Sequence, residues 1–281
     1  MIEAKESSFT LKALRTLPRF KGKDRIARTL LSRSQQNQCT LIRDRHGNQM
    51  VLPNLIEPVG FALAVHGCYE PVEVDVLRSH LTTDADFLDI GANIGAFTLP
   101  LAPFARRVVA IEASPSVLPF LRRNVELSRR TSIDIVDCAI SAPGTDSVSF
   151  YLPPMDHFGM GSSAPQFSAE PVKLAAKPLD RVLKDCNAAR IAAVKLDVEG
   201  FEAHVFLGGM GLLRRMPAPF ILFEFCDWAE ERAFPGRKGW AQQILLDEGY
   251  SLWLLPQYLT NAAPLSRPVT TGSHTVIACK L

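Results

Sequence analysis

What this 281-residue chain lacks narrows the field first. Its six cysteines, Cys39, Cys68, Cys138, Cys186, Cys226 and Cys279, stand singly, with no C-x-x-C pair and no tight cluster. That argues against a disulfide framework or a structural zinc site and for reduced thiols in a reducing compartment. No apolar run approaches the ~18 to 20 residues that span a bilayer, and no apolar signal-peptide core follows the N-terminus, so a cytoplasmic location is expected. Charge of one sign is also scarce. Lys and Arg number 31 against 29 Asp and Glu, and a formal +2 gives the whole molecule no reason to seek nucleic acid or an acidic partner. With 47% hydrophobic, 8% aromatic and 21% charged residues, neither disorder nor a fibrous architecture fits.

The charge that is there is uneven. Residues 1–34 carry nine basic side chains and three acidic ones, a surplus of +6, interleaved with Phe9, Leu11, Leu14, Leu17, Ile26, Leu30 and Leu31. This is the pattern of short amphipathic helices broken near Pro18 and Gly22. The stripe is short, which favours packing on the protein body over peripheral contact with a membrane. Cys39–Arg43 and Gln49–Leu52 flank Asp44-Arg45-His46-Gly47-Asn48, a hairpin with His46 as a turn residue. From Asp86 onward, short apolar runs alternate with helical periodicity, the signature of a parallel sheet covered by helices. Strands are expected at Phe87–Ile90, Arg107–Glu112, Ile133–Ala139, Ala192–Asp197, Phe220–Phe225, Tyr250–Leu255 and His274–Lys280, the last two antiparallel. Helices are expected at Ala96–Ala105, Ser116–Ser128, Ala203–Leu213 and Trp240–Glu248. Ser147–Leu152 and Val172–Ala176 read as an inserted hairpin around a long loop rich in Pro, Gly and Ser. The chain divides into a basic N-terminal extension, residues 1–60, and a main α/β domain, residues 61–281.

Chemistry concentrates at the strand ends. Phe87-Leu88-Asp89-Ile90-Gly91-Ala92-Asn93-Ile94-Gly95 is an apolar strand that runs through an acid and a Gly-containing turn into a helix, a geometry that suits a nucleotide-like ligand. The dinucleotide pattern G-x-G-x-x-G is absent, and Asp89 would repel a pyrophosphate while suiting an ammonium. The next strand ends in Glu112, an acid placed to accept from both hydroxyls of a ribose. An ammonium at one acid and a ribose at the other together describe S-adenosylmethionine. At the third strand's end, Asp137 and Cys138 are placed to meet its adenine. The fourth supplies Lys195-Leu196-Asp197-Val198-Glu199-Gly200-Phe201-Glu202.

In its order and spacing, this set resembles the FkbM family of S-adenosylmethionine-dependent methyltransferases. The resemblance is carried by Asp89 to Gly95, Glu112, Gly67-Cys68-Tyr69-Glu70, Gly161-Ser162-Ser163, Leu179-Asp180 and the Lys-x-Asp-Val-Glu-Gly-x-Glu segment, and it runs from about Gly67 to Phe225. It implies a class I, Rossmann-like fold with a seven-stranded sheet, mostly parallel with an antiparallel C-terminal strand. It also implies methyl transfer, usually to a hydroxyl oxygen of a sugar, glycolipid or secondary metabolite. By position, Asp89, Gly91, Asn93 and Gly95 resemble the family's cofactor turn, Glu112 its ribose acid, Tyr69 and Glu70 a pair closing over the methionine end, and Asp197 and Glu199 its acidic site.

A hydroxyl is a poor nucleophile at neutral pH, so transfer calls for in-line positioning and a proton acceptor. Glu199 is assigned as the acceptor-side base and Asp197 as the residue orienting the cofactor's amino end or the acceptor, with reversed roles open. Glu202 is expected to cap the following helix or pair with a base. His66, just before Tyr69, is a further catalytic candidate. No third ligand beside Asp197 and Glu199 is evident from spacing, which favours chemistry without a metal. The expected partner is a small-molecule or glycan hydroxyl and not nucleic acid, since neither an Asn/Asp-Pro-Pro-aromatic tetrapeptide nor a Pro-Cys nucleophile stands at the expected place. Oligomeric state is left open. The alternatives are a nicotinamide-dependent oxidoreductase and an inactive S-adenosylmethionine-binding module.

Overall fold

Apolar residues that alternate in direction bury both faces of the main sheet. The computed structural model describes residues 2–165, 167 and 170–280. Its central sheet is built from β1 (Asp86–Ile90), β2 (Arg107–Glu112), β3 (Ile133–Asp137), β4 (Ile191–Leu196), β5 (Phe220–Cys226), β6 (Ser251–Leu254) and β7 (Ser273–Cys279). The order is β6-β7-β5-β4-β1-β2-β3. β7 pairs antiparallel with both β5 and β6, and the other pairings are parallel. The last two strands are therefore antiparallel to each other, but β6 runs with the sheet and only β7 runs against it.

Period two decides the layers. Phe87, Val108, Ala110 and Ala193 face one apolar layer together with Leu63, Leu77, Leu99 and Leu121. Leu88, Ile90, Val109, Ile111 and Val194 face the other with Val182, Phe206, Ile244 and Leu245. The chain leaves β1 toward β2 and β3 and returns to place β4 on β1's other side. This reversal opens a crevice at the carboxyl ends of β1 and β4.

Local chemistry adjusts several expected boundaries. The third strand stops at Asp137, and Ala139–Ile140 instead pairs with Val172–Lys177 beside Ser147–Phe150, so the inserted hairpin is part of a small three-stranded sheet. The first expected helix shrinks to Thr98–Leu101 and a 3₁₀ turn at Ala102–Phe104, because Pro100 and Pro103 remove N–H donors. The helix after β4 breaks at Gly209 into Glu202–Gly208 and Met210–Leu213, and Asp180 accepts from the Gly211 and Leu212 amides of the second piece. Two helices not anticipated, Pro58–His66 and Pro71–His80, each begin with proline in the first turn, where its missing N–H costs nothing.

The basic N-terminal segment packs on the body. Leu11, Leu14, Ala27 and Leu31 are buried in the same apolar layer as Leu77 and Phe87. The hairpin Thr40–Arg43 with Gln49–Leu52 forms as read, with His46 exposed in its turn. Fully buried Asn124 ties it down: its Oδ1 accepts from the Val51 amide at 2.6 Å, and its Nδ2 donates to the carbonyls of Val51 and of Ile94 in the turn after β1. Among the described residues, no helix is long and apolar enough to cross a membrane.

Candidate active site

Two buried acids on β1 meet different fates. Asp86, at the strand's start, is held by Arg106 Nε at 2.8 Å and Arg107 Nη2 at 2.9 Å, a closed arrangement. Asp89, near its end, is equally buried, but only Oδ2 has a hydrogen bond, from the Thr98 hydroxyl. Its Oδ1 has no partner within hydrogen-bond reach, the nearest cation being Lys195 Nζ at 3.9 Å. Burial pushes the Asp89 carboxyl up, against the pull of Lys195. A buried oxygen left unpaired costs about 1 to 3 kcal/mol, the mark of a group kept for a ligand.

A cavity of about 640 Å³, mouth included, lies over the carboxyl ends of β1, β2 and β4. Gly91, Asn93, Glu112, Cys138, Asp197 and Glu199 line it. Glu112 Oε2 accepts from the Asn93 amide at 2.8 Å, and Oε1 accepts from Ala113 and Ser114. Each carboxylate oxygen keeps further acceptor capacity for a hydroxyl. Gly91 has φ +75° and packs so tightly on the segment after β4 that a Cβ would overlap the Asp197 carbonyl. Its missing side chain therefore makes room for protein backbone as well as for a ligand.

Asp89 stands behind the lining residues Ile90 and Gly91, and three other expected site residues sit elsewhere. Gly95 does not line the cavity: at φ +94° it turns the chain into the next helix, against Leu121 and Leu99. Asp137 faces outward, half exposed, and pairs with Arg122 at 3.1 Å, while its neighbour Cys138 is the one that meets the cavity. Burial pushes the Cys138 thiol up to about 11. His66 closes the helix Pro58–His66 against the N-terminal segment, its Nε2 2.7 Å from Asp24 Oδ1, and lines neither the cavity nor its acidic wall.

On the acceptor side, Asp197 borders both the cavity and a second cleft shared with Glu70, Lys195, Glu224 and Thr275. Lys195, buried on β4, is the hub. Its Nζ donates to the Gly91 carbonyl at 2.8 Å, lies 3.6 Å from Asp197 Oδ2, and sits 5.3 Å over the Phe97 ring. Burial alone would lower its pKa, but Asp197, Asp89, Glu70 and Glu112 together raise it, so it stays charged. One cation cannot neutralise so many acids. Glu70 and Glu224 keep solvent at the rim of the cleft, yet the packing around them, then Asp197, pushes both carboxyls above their ordinary value. Glu199 is pushed up to about 9 by burial, then by Asp197 and Glu224, so it holds a proton at neutral pH. Tyr69 stands beside them, edge-on to Phe97 at 6.2 Å, with its hydroxyl bonded to Glu70. Glu202 accepts from the Val198 amide at 3.0 Å and the Gly200 amide at 3.4 Å, holding the Asp197–Glu199 segment in shape. Among the described residues, no three His, Cys, Asp or Glu side chains group so as to hold a metal ion.

The loop of the inserted hairpin roofs the cavity. Gly159 lies so close to Asn93 that a Cβ would overlap its amide, and Ser162 Oγ donates to the Glu199 carbonyl at 3.1 Å. Phe150, Gly161 and Ser163 reach the cavity, whereas Phe158 is buried against Phe120, ring centroids 5.4 Å apart. Of the long loop between the strands of that hairpin, Gln166, Ser168 and Ala169 lie outside the described residues.

Lys195 and Glu224 were not singled out from sequence. The available signal for Lys195 was a lysine inside the apolar run Ala192–Leu196, which must find buried partners.

A family model described as a methyltransferase FkbM domain matches residues 89–252, more than half of the chain. A curated relative, "Probable ribosomal RNA small subunit methyltransferase A" of Methanosphaera stadtmanae, is 39% identical over 69 residues, 24% of this chain and 26% of the relative. The chain thus spans about a quarter of the length of the curated relative it matches. Among solved structures, a methyltransferase FkbM from Methylobacillus flagellatus aligns at 15% identity and TM-score 0.41, covering 70% of this chain and 44% of its own. An rRNA methylase from Streptococcus thermophilus aligns at 14% identity and TM-score 0.43, covering 74% and 94%. The expectation that nucleic acid has no place among the partners is corrected by the curated relative, whose name is that of an RNA methyltransferase.

Proposed function

The chain belongs to the FkbM methyltransferase family, and from that premise we propose that it transfers a methyl group from S-adenosylmethionine to a hydroxyl oxygen of a sugar, glycolipid or secondary metabolite. With the family shown, a nicotinamide-dependent oxidoreductase loses its ground. The observation that carries the reading is the orphaned, buried Oδ1 of Asp89, on the strand whose next residues, Ile90 and Gly91, line a cavity that presents Glu112 and borders the acidic cleft through Asp197.

Bound S-adenosylmethionine supplies an electrophilic methyl on a sulfonium. Asp89 Oδ1 would accept from its ammonium and Glu112 from its ribose hydroxyls, and Cys138 with Phe150 would pack on its base. Asp197, paired to Lys195, holds the border between cavity and cleft. The acceptor hydroxyl would enter where cavity and cleft meet at Asp197, between Glu199 on the cavity wall and Glu224 on the cleft wall. Glu199, which holds a proton, would orient the acceptor, and Glu224 would take the hydroxyl proton as the methyl passes from sulfur to oxygen and S-adenosylhomocysteine departs. This extends the base from Glu199 alone to a pair, with a member poised near neutrality as general-base work requires.

Residues 61–281 are the proposed catalytic unit and residues 1–60 an appended segment. Six free thiols fit a cytoplasmic setting. The match to an RNA methyltransferase admits a ribose hydroxyl as the acceptor within the same chemistry. Calorimetric titration with S-adenosylmethionine and, separately, NADH tests the proposal: binding of the first supports it, and tight binding of NADH alone would sink it.

A further inference from the structure

Three concavities share walls. Asp197 borders both the cofactor cavity and the acidic cleft, and Glu70 borders both the cleft and an open groove. Groove, cleft and cavity are therefore neighbours in that order, with Glu70 and Asp197 at the two junctions. The groove is walled by the N-terminal segment, outside the residues 89–252 that the family shares.

Its charge is unspent. Arg19 and Lys21 are exposed and make no ion pair among the described residues, and Arg19's polar contact is a 3.5 Å approach to Cys68 Sγ. Lys23 is 2% exposed, and its ammonium donates to the Leu17 carbonyl at 2.6 Å, using one of three N–H groups. Burial, then the neighbouring Arg19, lowers its pKa against the pull of Asp24. Of the groove's two acids, Glu70 stands at its junction with the cleft and Asp24 is engaged by His66 Nε2. The other nitrogen of that ring, Nδ1, is buried without a hydrogen-bond partner. The helix Lys23–Leu30 begins here and adds the positive end of its dipole.

We infer that this groove seats a phosphate group carried by the methyl acceptor, on Arg19, Lys21 and Lys23, with the acceptor's hydroxyl reaching past Glu70 into the acidic cleft. The inference rests on the methyl-transfer reading of that cleft. The two ends sort the acceptor: Glu70, Asp197 and Glu224 repel phosphate, so a phosphorylated acceptor enters hydroxyl first and its anionic end stays on the basic groove. Recognition then lies in the appended segment, and the inserted loop serves mainly to roof the cofactor.

Binding of inorganic pyrophosphate and of phosphatidylglycerol vesicles to the full chain tests this, comparing wild type, R19E/K21E, the neutral R19Q/K21Q, and K12E outside the groove. The wild type should bind pyrophosphate, more weakly as salt rises. R19E/K21E should lose at least about tenfold and R19Q/K21Q an intermediate amount, while K12E binds as wild type and all keep the wild-type melting temperature and S-adenosylmethionine affinity. Vesicle binding that R19E/K21E abolishes would assign the phosphate to a lipid headgroup, and pyrophosphate binding without vesicle binding would assign it to a soluble acceptor. Wild type binding neither probe, or R19E/K21E binding both as well as wild type, would overturn the inference. Absence of S-adenosylmethionine binding by the wild type would instead defeat the methyltransferase reading and leave the phosphate result standing.

Discussion

Replacing Asp89 by Asn separates a ligand-binding acid from a structural one. The side chains are nearly the same size, and the Asn oxygen can keep the bond from the Thr98 hydroxyl. What changes is the second position: an N–H donor now stands where Oδ1, unpaired among protein atoms, would accept from an ammonium. A hydrogen bond to a charged group contributes about 1.5 to 3 kcal/mol, so affinity for S-adenosylmethionine should fall about 10- to 150-fold. Folding should not weaken in step. Burial raises the Asp89 carboxyl above its unfolded value, so its charge opposes folding at neutral pH and the neutral amide removes that cost. Lys195 keeps the Gly91 carbonyl and Asp197. Calorimetry with S-adenosylmethionine and S-adenosylhomocysteine, beside urea unfolding, reads both quantities. Unchanged affinity, or a fall matched by an equal loss of stability, would make Asp89 a packing residue and refute its role.

Glu224→Gln should slow methyl transfer by about 10²- to 10⁴-fold in steady-state kinetics while cofactor affinity stays nearly unchanged, since it removes the member of the pair that ionises near neutrality. Glu199→Gln, which keeps a neutral donor in place, gives a pH signature instead. Glu199 is raised to about 9 from 4.5, so the folded chain holds a proton the unfolded one releases, and the associated stability is lost as pH rises from about 4.5 through 9. The melting temperature of E199Q relative to wild type should therefore climb over that range in differential scanning fluorimetry, and a flat or falling difference would show that Glu199 is ionised in the fold. Gly91→Ala, with positive φ and a Cβ on the Asp197 carbonyl, should cost about 1 to 3 kcal/mol or more in urea unfolding and displace the acidic site, lowering kcat.

Much of the fold was legible because its determinants are local. Apolar runs such as Val108–Ile111 announce strands buried on both faces, and Asp89 and Glu112 announce themselves by ending such runs at the spacing of one β-α-β unit. The failures trace to direction and distance. Asp137 occupies a strand end like Glu112 yet turns to Arg122, a choice made by the packing of a helix. His66 finds Asp24, 42 residues away, through a docking of the N-terminal segment that no local pattern records. Lys195 sat in view within a motif, but its role as the shared cation of Asp89 and Asp197 requires β1 and β4 to be neighbours, a fact of topology. Glu224 hid in the apolar run Phe220–Phe225 and became part of the site only because β5 lies beside β4.

The most direct measurement incubates the protein with methyl-labelled S-adenosylmethionine and fractionated extracts of phosphorylated glycans, lipids and RNA, then determines the linkage of the labelled methyl in the product by mass spectrometry and NMR. Transfer to a hydroxyl predicts a methyl ether, formed by wild type and formed far more slowly by both D89N at limiting cofactor and E224Q. A labelled product bearing the methyl on nitrogen or carbon, or a rate indifferent to Glu224→Gln, would contradict it.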